Sequence, residues 1–319
     1  MPELSTLSFS WVLMGTVQAV LVLLFVPLVT GFSRVIRARM HSRQGAGILQ
    51  DYRDLNKLFR RQAVGPSHSG LSFKIMPWCL VVTMFLIAMA LPVLTYQSPL
   101  SVSGDLITVI YLFAIYRFFF SLSGLDSNSI YAGIGSSREL TIGVLVEPVL
   151  MLGTLVVALV AGSTDLGTMG AQVVEKVGDY PVPLALACIA CAFAVFIEMG
   201  KLPFDVAEAE QELQEGPLTE YSGLELGLIK IGLGMKQVVI AMFFVALFLP
   251  FGKSAEVTFF GLLGAMILLV FKVAILMLCV CVFENSVARV RFADSHQMTW
   301  SAFAFAVMAT VFYILSVGA

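Results

Sequence analysis

Residues 257–283 read Val257-Thr-Phe-Phe-Gly-Leu-Leu-Gly-Ala-Met-Ile-Leu-Leu-Val-Phe-Lys272-Val-Ala-Ile-Leu-Met-Leu-Cys-Val-Cys-Val-Phe283, a stretch whose single charge is Lys272. A helix rises 1.5 Å per residue, so about 20 predominantly apolar residues cross a bilayer's hydrocarbon core. This stretch meets that length with a turn to spare. Working outward from it, seven more runs of the same kind appear, at 9–33, 75–96, 105–123, 140–162, 182–200, 226–250 and 299–318. None shows the short alternating segments of a transmembrane barrel. The composition agrees: 59% of the 319 residues are hydrophobic and 13% charged, against about 25% charged in soluble domains. Too little polar surface is present to coat a soluble globule. The net charge of −2 gives no polybasic footprint for nucleic acid. The expected fold is an all-α integral membrane protein of about eight transmembrane helices, a single polytopic unit over 1–319.

Lysine and arginine set the expected orientation. Segments 34–74, 124–140, 201–225 and 284–298 lie on one side and carry thirteen of the nineteen Lys and Arg residues. The positive-inside rule makes that side cytoplasmic, in a bacterial inner membrane with both termini periplasmic. The start, Met1-Pro2-Glu3-Leu4, lacks the basic region of a cleaved signal. Two cytoplasmic loops are large. Loop 34–74 is basic, and within it Ile48, Leu49, Tyr52, Leu55, Leu58 and Phe59 recur at helical spacing, the pattern of an interfacial or partner-docking helix over 48–60. Loop 201–225 holds seven of the chain's 21 acids. The other connections are short, apart from 163–181.

Redox and metal motifs are weak. Cys188-Ile-Ala-Cys191 has CxxC spacing, but the pair falls inside an apolar run, where small packing residues are the better reading. His41, His68 and His296 are scattered, and no P-loop, dinucleotide fingerprint or nucleophile elbow occurs. No cofactor is expected in this chain.

Ionisable residues inside apolar runs are functional candidates, because an unpaired charge at the bilayer centre costs at least about 2.5–3.5 kcal/mol. Glu147 lies two turns into the fourth run, and Pro148 beside it frees a backbone carbonyl one turn earlier. Arg117 lies near a helix end, so snorkelling or an ion pair explains it as well as function does. Glu198 and Lys201 close the fifth run at a pairing distance of i,i+3. Lys230, Lys236 and Lys272 need a carboxylate or a hydrated cavity. Together they predict a charged thread along one side of the bundle, whose alternative reading is a set of structural ion pairs.

Pro203-Phe-Asp-Val-Ala-Glu-Ala-Glu-Gln-Glu-Leu-Gln-Glu-Gly-Pro-Leu-Thr-Glu-Tyr-Ser-Gly223 resembles the signature loop of the respiratory-chain NADH dehydrogenase subunit 1 family, the complex I membrane component beneath the peripheral arm. Arg43-Gln-Gly with Gln50 and Lys57-Leu-Phe, Arg138 with Glu147, and Ala288-Arg-Val-Arg-Phe-Ala-Asp294 resemble further family elements in the same order. Residues 192–223, Gln50-Asp-Tyr-Arg-Asp54 and Arg117-Phe-Phe-Phe look most like the family's hydrogenase branch, the membrane subunits of formate hydrogenlyase and hydrogenase-4. Two departures stand out: Ala46 replaces the proline of the RxGP turn, and the fifth run ends Glu-Met-Gly-Lys201 where complex I has a His/Arg-rich stretch. Quinone binding is therefore not carried over.

The resemblance implies a membrane anchor and proton-coupling subunit of a formate-linked nickel–iron (NiFe) hydrogenase complex. Its implied partners are the hydrogenase large and small subunits, iron–sulfur proteins, formate dehydrogenase and antiporter-like membrane subunits, with the nickel–iron site and iron–sulfur clusters all carried by those partners. Proton path or coupling falls to Glu147, Glu198, Asp205, Glu208, Glu210, Glu212, Glu220, Arg138, Lys230, Lys236 and Lys272. Partner docking falls to Arg43, Asp51, Arg53, Lys57, Arg60 and Arg61. A quinone-site subunit of respiratory complex I, a free-standing ion transporter and a passive anchor are the alternatives.

Overall fold

A computed structural model describes residues 9–100, 104–205, 210–254, 258–288 and 292–318. Eight of its helices are long and apolar enough to cross a membrane: α1 (Phe9–Met40), α3 (Leu71–Ala90), α4 (Leu106–Asp126), α5 (Ile130–Ala161), α7 (Pro181–Glu198), α9 (Gly223–Phe248), α10 (Phe259–Ser286) and α11 (Phe292–Val317). Three shorter helices join them: α2 (Gln50–Phe59), α6 (Leu166–Lys176) and α8 (Glu210–Leu213). Among the described residues β structure is limited to two isolated bridges, Thr95 with Ser254 and Asp105 with Asp165. The chain is a multi-pass membrane protein.

Helix α9 is the most deeply buried span, and α10 and α11 the most exposed. The core packs α9 against α3, with α4, α5 and α7 closing around it; Met84, Val109, Val146, Ala187, Val239 and Phe243 are all essentially inaccessible. The apolar faces left outward need no partner in water, because hydrocarbon is their solvent.

Two features differ from the sequence expectation. Helix α5 starts at Ile130, ten residues before the apolar run, so the 124–140 segment is mostly helix. Segment 163–181, read as a loop, holds α6. Asp165 caps that helix by accepting from the Thr168 amide at 2.9 Å, which satisfies one of its orphan N–H groups. Gly170 lets it lie against the end of α9, where a Cβ would stand 2.5 Å from the Ala246 carbonyl.

The two large connections share one end of the bundle, here termed the basic end, and they are stitched together. Ser222 Oγ accepts from the Val64 amide at 2.7 Å and donates to the Val64 carbonyl at 2.8 Å. Gly223 adopts φ +55°, and a Cβ there would meet the Gln62 backbone, so glycine is required on both counts. Tyr221 stacks on Phe73 at 3.9 Å and donates its hydroxyl to the Phe73 carbonyl at 2.7 Å. Burial raises the Tyr221 pKa above the usual phenol value, which keeps that donor protonated.

Candidate functional site: a buried ion network beneath a charged cavity

Four helices converge on one arginine. Arg117 of α4 is 6% exposed; its Nη1 donates to Glu147 of α5 and its Nη2 to Glu198 at the end of α7. Its Nε lies 3.6 Å from Glu139, also on α5. Lys236 of α9 completes the cluster, with Nζ 3.1 Å from Glu198 and 3.4 Å from Glu139. The same ammonium sits 5.4 Å from the centre of the Tyr116 ring, within range of a cation–π attraction. Gly143 makes the approach possible, since a Cβ there would collide with the Arg117 side chain.

Two cations thus face three carboxylates. Burying charge is tolerated only with close counter-ions, and this set carries one negative charge in excess when every member is ionised.

A polar route reaches this network from the basic end. A cavity of about 350 Å³ lies under α2, lined by Arg34, Arg37, Asp51, Asp54, Lys201, Asp205, Glu215 and Lys230 among others. A second, of about 80 Å³, contains Glu139, Glu198 and Lys236 in its wall. Asp205, Leu233 and Gln237 line both. The depth comes from unequal helix lengths. Glu198 closes α7, yet meets Lys236 thirteen residues into α9, about 20 Å from that helix's start. The chain then turns at Gly200, φ +60°, bringing Lys201 to Asp205 into the space left open. Gln237 donates to the Met199 carbonyl at 3.2 Å, and its buried Oε1 has no protein partner.

Beyond Lys236 the route closes. Val239, Ile240, Met242 and Phe243 of α9 are buried and apolar. Glu147 instead reaches the flank of the bundle, its side chain about one-third exposed, at 35%.

The predicted thread is therefore only partly assembled. Glu147, Glu198 and Lys236 come together, but Lys230 is exposed at the large cavity. Lys272 lies at the opposite end, donating to the Leu249 and Phe251 carbonyls. Nearby Lys253, 9% exposed, donates to the Ala246 carbonyl; burial, reinforced by the Lys272 charge, pushes its pKa down to about 8. Glu198 engages Arg117 and Lys236, correcting the terminal Glu198–Lys201 pairing expected from spacing. Arg117 and Glu139 belong to the network without having been assigned to it.

Among the loop candidates, Arg138 bonds Glu212 of α8 at 2.7 Å and lies 5.4 Å from the Phe292 ring centre. Asp205 lines both cavities, Glu220 is half-buried just before Tyr221, and Glu210 opens α8. Glu208 lies outside the described residues. Of the docking candidates, Arg43, Arg53, Lys57, Arg60 and Arg61 are exposed. Asp51 faces inward, accepting from Thr30 Oγ1 at 2.6 Å and pairing with Arg34 at 2.6 Å, so it fastens α2 to α1.

Cys191 is buried and Cys188 half-buried in α7. Among the described residues no three His, Cys, Asp or Glu side chains gather as metal ligands would.

The NADH dehydrogenase family model matches residues 13–315. Hydrogenase-4 component C of Escherichia coli (strain K12) is 55% identical over 303 residues, covering 95% of this chain and 96% of that protein. Formate hydrogenlyase subunit 4 of the same organism is 51% identical over 300 residues, covering 94% and 98%. In fold, the chain is similar to one in the solved structure of the membrane-bound sulfane sulfur reductase, an archaeal respiratory membrane complex. The TM-score there is 0.80, at 24% identity, covering 94% of this chain and 99% of the other.

Proposed function

This chain belongs to the NADH dehydrogenase family, beside membrane components of hydrogenase-4 and formate hydrogenlyase, and on that premise we propose that it anchors and couples a formate-linked nickel–iron hydrogenase complex to the membrane. It docks the soluble hydrogenase and iron–sulfur arm at its basic end and relays charge from that arm toward the membrane arm. The observation carrying this reading is the five-membered ion network lying beneath a charged cavity.

The chemistry follows from the arrangement. Water in the large cavity exchanges protons with its carboxylates. Asp205 and Gln237 stand between that cavity and the smaller one. A proton entering the cluster neutralises its excess negative charge. A change of charge in the docked arm shifts that equilibrium through the low dielectric of the protein interior. Because α9 is apolar and buried beyond Lys236, the lateral carboxylate Glu147 is the exit, toward a neighbouring antiporter-like membrane subunit.

The basic end faces the cytoplasm of a bacterial inner membrane, which leaves both termini periplasmic. The thirteen Lys and Arg residues support this orientation. No redox cofactor resides in this chain; the partner hydrogenase subunits, iron–sulfur proteins and formate dehydrogenase carry the electrons. That reading rests on the dispersed histidines and on cysteines that all fall within apolar runs of the sequence.

The docking half is tested by reversing Arg60 and Arg61 to Glu. Both are exposed on the turn leaving α2, away from the ion network. The variant chain inserts normally while the hydrogenase moves to the soluble fraction. Full retention of the hydrogenase on membranes refutes α2 as its dock.

A further inference from the structure

Glu147 is the one member of the ion network that reaches the outer flank of the bundle, and it is only half paired. Its Oε1 takes Arg117, and among the described residues its Oε2 bonds nothing. The neighbours on that outward stripe of α5 are apolar. Val144, one turn before it, is 71% exposed, and Met151, one turn after it, is 51% exposed. Glu147 stands seven residues, about 10 Å, inside the apolar run that opens at Leu140, and fourteen residues, about 21 Å, from the end of α5 at Ala161. A carboxylate side chain is too short to carry its charge back to the headgroups over that distance. Hydrocarbon laid against it leaves a half-paired charge in lipid, which is costly.

The charge count indicates what covers it. Arg117 and Lys236 face three carboxylates, so one negative charge is in excess. Of the three, Glu147 is the most exposed, so a balancing cation coming from outside meets the cluster there. With one oxygen already committed to Arg117, the two-pronged fit of a second guanidinium is lost, and a single ammonium suffices. A second copy of this chain has none to offer. Within the apolar runs, Arg117 and Lys236 are buried in the network, Lys230 opens on the charged cavity, and Lys272 is taken by backbone carbonyls.

We propose that a different membrane subunit lays a transmembrane helix along Leu140, Val144 and Met151 of α5 and presents a lysine ammonium to Glu147. This rests on the reading of the chain as one member of a membrane complex, and not on protons passing through Glu147.

The test uses the assembled complex in its native membrane and dicyclohexylcarbodiimide, which partitions into lipid. A carboxyl group, with its proton, adds across the carbodiimide to give an O-acylisourea. An amine in contact then displaces dicyclohexylurea and forms an amide, a cross-link of zero length. The expected product, located by mass spectrometry, joins Glu147 to a lysine within an apolar span of another subunit. Glu147→Gln cannot be activated and abolishes that product, while its carboxamide oxygen still accepts from the ammonium and keeps the neighbour bound. Glu147→Lys sets like charges together, and the neighbour recovered with this chain falls at least about tenfold. Changing the identified lysine to Glu in that background restores it. Glu147 recovered as the rearranged acylurea, unmodified, or joined to the amine of phosphatidylethanolamine leaves the flank to lipid and overturns the proposal. An amide to a lysine of a second copy overturns it as well. These products are read on the unaltered chain, so they stand even if a variant fails to fold. If no lysine is captured while hydrogen evolution still responds to membrane potential through Glu147, the pairing fails and the coupling role survives.

Discussion

At the scale of single residues, the charge imbalance around Arg117 makes definite demands. Glu139→Gln leaves two cations against two carboxylates, so the folded chain in detergent keeps its thermal midpoint within a degree or two, on the order of the ±0.5 kcal/mol of a tolerated change. Arg117→Met leaves three carboxylates facing Lys236 alone and destabilises by about 3–5 kcal/mol, the usual cost of orphaning a buried partner. Paired thermal melts of the two variants check this; equal midpoints refute the imbalance. The network was only half legible in the sequence. Glu147 and Lys236 stood out as charges in apolar runs. Glu139 did not, because it follows Arg138 in what reads as a polar connection before the apolar stretch begins. Yet Glu139, Gly143 and Glu147 at i, i+4 and i+8 form one stripe on a helix face. The glycine between the carboxylates is the signal that a long cation enters from elsewhere. That it is Arg117, thirty positions from Glu147 and eighty-one from Glu198, no local pattern could announce.

At the scale of elements, hydropathy was sufficient for all eight spans, since the bilayer's thickness fixes the length each must have. It failed at their ends. Helix α5 begins in polar sequence because its first turns project beyond the apolar layer, and α6 was missed because its apolar residues are too few to span. The Asp165 cap was readable in Ser163-Thr-Asp165 but carried no hydropathic signal. Pairing of the two large connections was equally invisible, resting on a serine and a glycine. Gly223→Ala is expected to free residues 60–64 from the start of α9 and to increase their amide exchange at least about tenfold, while exchange in α3 and α4 stays unchanged. Unaltered exchange at 60–64 contradicts the stitching. At the other end of α9, burial holds the Lys253 pKa at about 8, below its ordinary 10.5. The unfolded chain binds this proton up to about pH 10.5 and the folded chain only up to about 8, so stability rises with pH between those values. The contribution below pH 8 is a penalty of order 3 kcal/mol at 1.36 kcal/mol per unit. Lys253→Met removes it, raising the midpoint at pH 7 and flattening the dependence between pH 8 and 10.5. A pH dependence identical to the parent chain's assigns that rise to another group.

At the scale of the whole molecule, the structure is a funnel of charge with a sealed floor. Charged groups crowd the basic end, narrow through Asp205 and Gln237 to five ion-paired side chains, and stop where α9 turns apolar. An anchor needs a docking surface and eight spans, but not an ion cluster with one carboxylate in excess. A self-contained transporter needs a path to the opposite face, and α9 does not supply one. The arrangement fits a coupling subunit that hands charge sideways through Glu147. Glu147→Gln preserves shape and can still hydrogen bond to Arg117, but cannot titrate. The direct measurement is formate-driven hydrogen evolution in sealed vesicles carrying the assembled complex, with and without a protonophore. The account predicts that the parent complex changes rate when the protonophore collapses the membrane potential, while Glu147→Gln, with normal assembly and dye-linked hydrogenase activity, no longer responds. If Glu147→Gln responds to the protonophore as the parent does, the network is structural and the chain is an anchor alone.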